Sequence, residues 1–367
     1  MDTIELTKQL IRLPSYVNGQ QNEQPVADFI WDYVGKNIPW LKQTRQCVSK
    51  GRYNIIAKKS DTPSVVFISH MDTVMPQGKK EERLNPRVVG NKLYGLGACD
   101  MKSGLVAALC AVQKAGPRAD AALIFDCDEE YYFRGALTLV KELSLRPRLA
   151  VFPEPTDLQI LSGCRGVVEI EFLVKGKTAH AGVPKNGKNA ITLSVELVKI
   201  LETKLFNAKD PVRTTVNLSS LRGGVMQNDT IGIQANAVPD GAQILLDIRT
   251  GKKNVNAKTV FALIEAIAKK LGVAVENEKI NLDYPPFNSQ KKYVKKLEDV
   301  VKKSGNPIIY SPLNSAGFFE ASFVANAWGC EAVAFGPGNK QTAHTKEEYT
   351  NISDLKTVES IFTELIR

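Results

Sequence analysis

The sequence predicts an α/β protein: one domain with a mixed, largely parallel sheet, interrupted by a smaller α+β (ferredoxin-like) domain. Three observations carry this. The first is a set of short apolar strands alternating with amphipathic helices in both terminal thirds, the pattern of crossover-connected parallel strands. The second is a change of pattern in the middle, where "GVVEIEFLVKG" (166–176) alternates apolar and polar residues as a half-exposed antiparallel strand does. The third is length: 367 residues exceed what one core usually holds.

Along the chain, 3–13 and 25–35 read as amphipathic helices. "YNIIAKK" (53–59) and "SVVFISH" (64–70) read as strands joined by the turn "SDTP". "SGLVAALCAVQKAG" (103–116) is an Ala/Leu-rich helix stopped by Gly116-Pro117. "AALIFDCDEE" (121–130) and "RLAVFPEPT" (148–156) are apolar strands that run into acids. The middle reads as a βαββαβ-like series, with helices at about 189–205 and 256–271 and strands at 214–224 and 242–250. After Pro285-Pro286 come a helix, the strand "EAVAFGPG" (331–338) and a last helix at 353–366. The expected division is therefore 1–165 with 284–367 as the main domain, and 166–283 as the insert.

Composition excludes several classes. The 43% hydrophobic and 24% charged content is that of a soluble globular chain, and no apolar run of about 18 residues exists to span a membrane. The opening "MDTIELTKQLIRLPS" lacks the apolar core of a secretory signal. Six cysteines without a CxxC pair point to reduced thiols, so the expected location is cytoplasmic. The net charge of +9 is spread along the chain; its densest stretch, "KKYVKKLEDVVKK", alternates with apolar residues at helical spacing and reads as a solvated helix face rather than a nucleic-acid patch. The charge would still steer small anions.

The chemistry collects where strands end. The three histidines, His70, His180 and His344, all lie at loops or strand ends. His70 closes an apolar strand, and Asp72 lies two residues on, within reach of one ring nitrogen if the chain stays extended. Asp100 sits in the small-residue loop "YGLGACDMKSG", where the backbone can approach an ion. Asp128, Glu129 and Glu130 form a triple acid whose mutual repulsion a cation would relieve, and Glu154 is aimed by its flanking prolines in "FPEPT". Imidazole and carboxylate ligands suit divalent zinc, and the candidates exceed the needs of one ion, so a two-metal site bridged by a carboxylate is expected. One of Glu129 and Glu130 can bind metal while the other serves as base.

These motifs, with "LIRLPSY", "SHMDTV", "GKTAHAGVP", "NLSSLRGG…NAVPD…LDIR" and "FGPG…AHTKEEY", resemble those of the M20 metallopeptidase and deacylase family over nearly the whole length. That family includes acetylornithine deacetylase, succinyl-diaminopimelate desuccinylase and carboxypeptidase G2-like enzymes. The resemblance implies a zinc-dependent exopeptidase-like catalytic domain and an inserted lid and dimerisation domain. It implies that His70, Asp100 and Glu154 bind one ion, and that Asp100, Glu130 and His344 bind a second, both zinc, with cobalt or manganese as alternatives. It implies Glu129 as general base and later proton donor, Asp72 as the residue orienting His70, and His180 as an oxyanion contact. Asn236 and Arg249, and Arg165 less closely, match positions that hold the substrate carboxylate or the oxyanion. One departure stands out: "NSAGFFEASF" (314–323) has Glu320-Ala321 where Asp-Ala is usual, which touches the specificity pocket.

The expected activity is hydrolysis of the amide bond of a small anionic N-acyl amino acid through a metal-bridging water, with a dipeptidase or carboxypeptidase acting on short peptides as the alternative. The expected assembly is a homodimer through the lid, without nucleic acid or membrane partners. Two other classes weigh less. "GLGACD" (95–100) hints at a dinucleotide-binding turn, but Asp100 stands where the third glycine belongs. A non-catalytic binding protein on this fold would lack a ligand or the base, and every matched position is filled.

Overall fold

The computed structural model describes residues 2–207, 209, 212–228, 230–289, 292–310, 312–313 and 317–367. The chain divides into two compact units, one of Met1–Gly163, Asn288–Ser315 and Phe319–Arg367, the other of Cys164–Phe287 with Ala316–Phe318.

The larger unit begins with helices α1 (Thr3–Arg12) and α2 (Gln24–Asn37) and strands β1 (Lys42–Ser49), β2 (Arg52–Lys58) and β3 (Val65–His70). A short helix α3 (Lys80–Arg83), strands β4 (Arg87–Val89) and β5 (Lys92–Tyr94), and helix α4 (Lys102–Ala115) follow. Then come β6 (Ala121–Asp126), α5 (Arg134–Glu142), β7 (Leu149–Phe152) and the two-residue β8 (Gly163–Cys164). The smaller unit holds β9 (Gly166–Lys175), α6 (Ala190–Leu205), β10 (Thr215–Gln227), β11 (Thr230–Gly232), β12 (Gly241–Thr250), α7 (Ala257–Leu271) and β13 (Ala274–Tyr284). After β14 (Phe287–Asn288), the larger unit closes with α8 (Lys292–Lys303), α9 (Ala321–Trp328), β15 (Glu331–Ala334), β16 (Tyr349–Asn351) and α10 (Ile352–Leu365).

The main sheet has the order β1-β2-β6-β3-β7-β15. Strands β6, β3, β7 and β15 are parallel, and β1 and β2 join antiparallel at one edge. Every residue of β3, β6 and β7 is buried, as strands covered on both faces must be. Phe67, Phe125, Phe335 and Phe362 belong to this core. Strands β2 and β3, adjacent in sequence, are not neighbours in the sheet: β6 lies between them. The edge strand β1 (KQTRQCVS) is polar and largely exposed, so its sequence carries no apolar period to announce it.

Because β6, β3 and β7 run parallel and side by side, their carboxyl ends open on the same edge. His70 ends β3, the acids 128–130 follow one residue after β6, and Pro153-Glu154-Pro155 follows β7. The approach of α4 to the last of these depends on Gly104. A β-carbon there would sit 1.8 Å from the Pro153 carbonyl oxygen, so backbone would have to move. Gly104→Ala is expected to destabilise the protein by about 1–3 kcal/mol through overpacking, read as a lowered melting temperature; an unchanged melting temperature would contradict this packing.

The smaller unit is a five-stranded antiparallel sheet of order β11-β10-β12-β9-β13, with α6 and α7 on one face. Leaving aside the short β11, the first, second, third and fourth strands lie in the order 2-3-1-4 of a ferredoxin-like domain. Phe172 and Phe261 meet edge to face in its core. Helix α7 starts with a reciprocal cap: Asn256 accepts from the Thr259 N–H at 3.0 Å, and Thr259 accepts from the Asn256 N–H at 3.1 Å. Among the described residues, no helix is long and apolar enough to cross a membrane.

Candidate metal centre

His70 is almost fully buried at the end of β3. Its Nδ1 lies 3.0 Å from the backbone carbonyl of Asp72, and its Nε2 lies 3.2 Å from Asp100 Oδ1. The carbonyl accepts only, so Nδ1 carries a proton and Nε2 faces a carboxylate. Two acceptors then confront each other unless a proton or a cation stands between them. Burial works against the imidazolium, but Asp100, Glu154 and Glu129 outweigh it and hold the His70 pKa well above its ordinary value.

The Asp72 carboxylate takes a different part from the one expected. It lies 3.8 Å from Nδ1, beyond hydrogen-bond distance. Its two oxygens instead accept the backbone N–H groups of Glu129 and Glu130, each at 3.2 Å. Asp72 thus orients His70 through its carbonyl and the acidic loop through its carboxylate. Burial pushes that carboxyl up to about 7, with His70 opposing and Glu130 adding to the rise.

Asp128 is spoken for by arginines. Arg134 Nε donates to it at 2.6 Å and Arg52 Nη1 at 2.7 Å, and Arg52 is also bound by the buried Glu23 at 2.9 Å. Despite burial, these guanidiniums hold the Asp128 carboxyl below its ordinary value. Of the three adjacent acids, this one is neutralised as structure, and the loop turns at its left-handed backbone (φ 71°) to present Glu129 and Glu130. Sequence reasoning assigns roles to Glu129 and Glu130 and none to Asp128, because its partners Arg52 and Arg134, and Glu23 behind Arg52, are remote or unmarked.

Two groups of three ligand-type side chains lie with their donor atoms within 4.8 Å of one another: His70, Asp100 and Glu154, and Asp100, Glu130 and His344. Asp100 belongs to both. His344 Nε2 is 3.4 Å from Asp100 Oδ2 and 3.0 Å from Glu130 Oε2. The Gln77 side-chain amide donates to the His344 carbonyl at 2.7 Å. Asp100 and Glu130 push the His344 imidazole up to about 10. Burial, reinforced by the neighbouring acids against His70, pushes Glu154 up to about 8.

The donor chemistry fits two divalent ions. Imidazole nitrogens and carboxylate oxygens are the ligands such ions take. Asp100, Glu130, Glu154 and Glu129 carry four negative charges when ionised, the charge of two divalent cations. Glu129 falls in neither group of three. Burial, with Glu154, Glu130 and Asp100 outweighing His70, holds its carboxyl well above the ordinary value.

Glu320 is buried at the start of α9, and its carboxyl acts electrostatically on that of the equally buried Asp126, which pairs in register with His70. Burial pushes both carboxyls up. The structure gives Glu320 a buried acid neighbour at the end of β6. Residues 314–316 of that stretch lie outside the described residues.

The remaining predicted residues lie in the smaller unit. His180 is exposed and bridged to Ala237; its Nδ1 accepts the Gly182 N–H at 3.0 Å, and the Ala181 N–H donates to the Asn236 carbonyl at 2.9 Å. His180 and Asn236 therefore sit on two paired loops. Arg249 donates from Nε and Nη2 to Asp247, both at 2.7 Å. Arg165 donates to Thr215 Oγ1 at 3.3 Å, and burial together with Arg249 lowers its pKa.

Comparison with known proteins bears on the family and the fold. The pattern of Peptidase family M20/M25/M40 matches residues 66–367. The chain is 25% identical to an acetylornithine deacetylase from Buchnera aphidicola over 99% of this chain and 97% of that protein. It is likewise 25% identical, with the same coverage, to a succinyl-diaminopimelate desuccinylase from Helicobacter pylori. Two solved structures share the fold, each with a TM-score of 0.76. One is a tripeptidase from Staphylococcus aureus, 24% identical over 99% of this chain and 96% of that one. The other is the aminopeptidase PepT from Bacillus cereus, 22% identical over 100% and 98%. The chain belongs to the M20/M25/M40 peptidase family, metal-dependent hydrolases of amide bonds.

Proposed function

We propose that this chain is a two-metal amidohydrolase that releases the acyl group from a small N-acyl amino acid. The observation that supports it most is the pair of three-ligand groups sharing Asp100, with Glu129 beside both and in neither. His70, Asp100 and Glu154 would hold one ion and Asp100, Glu130 and His344 the other, zinc first, cobalt or manganese as alternatives. When bound, the ion pair supplies Lewis acidity, polarising the amide carbonyl and making a water acidic near neutral pH.

The chain supplies the proton transfers and the positioning. Glu129 takes the proton of the attacking water and delivers it to the departing nitrogen, so the amine leaves neutral. Asp72 keeps that carboxylate in place by binding the loop's backbone N–H groups. His180 is proposed to stabilise the oxyanion, and Arg249, Asn236 and Arg165 to bind the substrate's carboxylate. The substrate is then small and anionic. A dimer through the smaller unit belongs to the same proposal. So does a reducing, cytoplasmic setting, supported by six free cysteines.

A hydrolysis screen of the metal-loaded protein tests the substrate class. The panel holds acetyl-ornithine, acetyl-lysine, acetyl-citrulline, succinyl-diaminopimelate, acylglutamates and dipeptides. Turnover of an acyl amino acid is expected. Turnover confined to dipeptides would replace this reading by the peptidase one, which the names of the two structural neighbours favour.

The raised carboxyls add a pH dependence. Asp72 and Glu348 near 7 and Glu154 near 8 lie above their unfolded values, so the metal-free native state binds more protons than the unfolded one. Their stability contribution is present at low pH and falls as pH rises from about 4.5 towards 7. Ion binding gains strength over the same range, because its ligands must be deprotonated. The gap in melting temperature between metal-loaded and chelated protein is expected to widen from pH 5 to pH 7; a constant gap would contradict the assignment.

A further inference from the structure

Glu348 is 2% exposed, although it lies in a loop whose preceding residue, Glu347, is exposed. It belongs to neither ligand group. Its carboxylate accepts four hydrogen bonds. Oε1 takes the backbone N–H groups of Cys99 at 3.0 Å and Asp100 at 3.2 Å; Oε2 takes the Gly97 N–H and Arg83 Nη2, each at 3.0 Å. Arg83, 7% exposed, uses its other terminal nitrogen, Nη1, to donate to the Lys346 carbonyl at 2.7 Å. Its own carbonyl accepts the Leu96 N–H at 2.8 Å, and the Glu348 carbonyl accepts the Gly95 N–H at 3.3 Å.

We infer that Arg83 and Glu348 form a positioning pair that sets the spacing between the shared ligand Asp100 and the ligand His344. The reason is connectivity. Segment 95–100 carries Asp100, and segment 344–348 carries His344. Each is a loop without ladder hydrogen bonds of its own, so its backbone groups must be satisfied elsewhere. One carboxylate gathers three N–H groups of the first segment from a position within the second. One guanidinium then binds that carboxylate and a carbonyl two residues after His344. The planar fork of an arginine reaches the two acceptors from two separate nitrogens at a fixed spacing, which the single nitrogen of an ammonium does not reproduce. The ion at Asp100, Glu130 and His344 is the one whose ligands come from both segments, so it depends most on the pair. Neither residue belongs to a ligand group, so the pair would act through the ligands it positions.

This rests on the two-metal reading, and the experiment separates the two. Protein stripped by chelation is titrated with Zn2+ or Co2+ by calorimetry in the presence of a competing chelator. The wild type is expected to take two ions; if it takes none, the two-metal reading fails before the pair is tested. In Glu348→Gln the amide leaves two of the four donors facing an N–H2 group. The second ion is then expected to bind about 10–100-fold more weakly, the usual cost of losing a ligand's support, with an altered Co2+ absorption spectrum. Arg83→Lys keeps the charge but not the fork, and a smaller loss of the same kind is expected. Leu297→Ala, a core truncation in α8, is the control for general loosening and should leave both affinities unchanged. If Glu348→Gln does not fold, Arg83→Lys decides alone. Second-ion affinity in the folded variants equal to that of wild type, or a loss no larger than that of Leu297→Ala, overturns the inference.

Discussion

Glu129→Gln is expected to lower kcat by about 10⁴-fold while leaving two ions bound per chain, the upper end of what general acid–base catalysis contributes. The size follows from the double role. The same carboxyl takes a proton from water and returns it to the leaving nitrogen, so the amide loses both steps. The preserved metal content follows from the geometry, since Glu129 lies in neither ligand group. Glutamine also keeps the backbone N–H that Asp72 accepts, so the loop should hold its shape. Turnover and metal analysis on one preparation read both halves. Turnover within tenfold of wild type would remove Glu129 from the role of base, and loss of an ion would make it a ligand.

The second large effect belongs to Asp100→Asn. Asp100 is the one residue common to both groups, with Oδ1 towards His70 and Oδ2 towards His344. An amide offers one oxygen and no charge, so it cannot serve two cations. Both sites should weaken together, and metal content after dialysis should fall from two ions towards none. Glu154→Gln, which strikes one group alone, should by comparison lose one. Equal metal loss in the two variants would contradict the shared role of Asp100. The backbone N–H of Asp100 still bonds Glu348 in the variant, so a folded protein is expected.

Much of this site was legible before the structure. His70, Asp100, Glu130, Glu154 and His344 are ligand-type residues at strand ends or in loops, positions that are local in sequence, and the family resemblance is what divides them between two ions. The parallel sheet does the rest, since adjacent β6, β3 and β7 bring their carboxyl ends to one edge. What the sequence hides is which atom of a residue works and which remote partner it meets. Asp72 was expected to reach His70 with its carboxylate, but its carbonyl does so, because the two backbone N–H groups at Glu129 and Glu130 compete for the carboxylate. The part played by Asp128 is hidden as well, because its partner Arg52 is remote in sequence and Arg134 carries no motif. Glu348 looked like Glu347. The polar edge strand β1 and the helix α5 escaped for a simpler reason. The first lacks an apolar period, and the second follows directly on the acidic loop, whose left-handed Phe133 hides the start of the helix.

The central claim is that two ions share Asp100 and leave Glu129 free. Crystals of the zinc-loaded protein measured at the zinc absorption edge test it directly. Two anomalous peaks about 3.5–4 Å apart are predicted, one on each side of the Asp100 carboxylate, with the Glu129 side chain bonded to neither. A single peak, or a Glu129 oxygen at ligand distance from either ion, would contradict it.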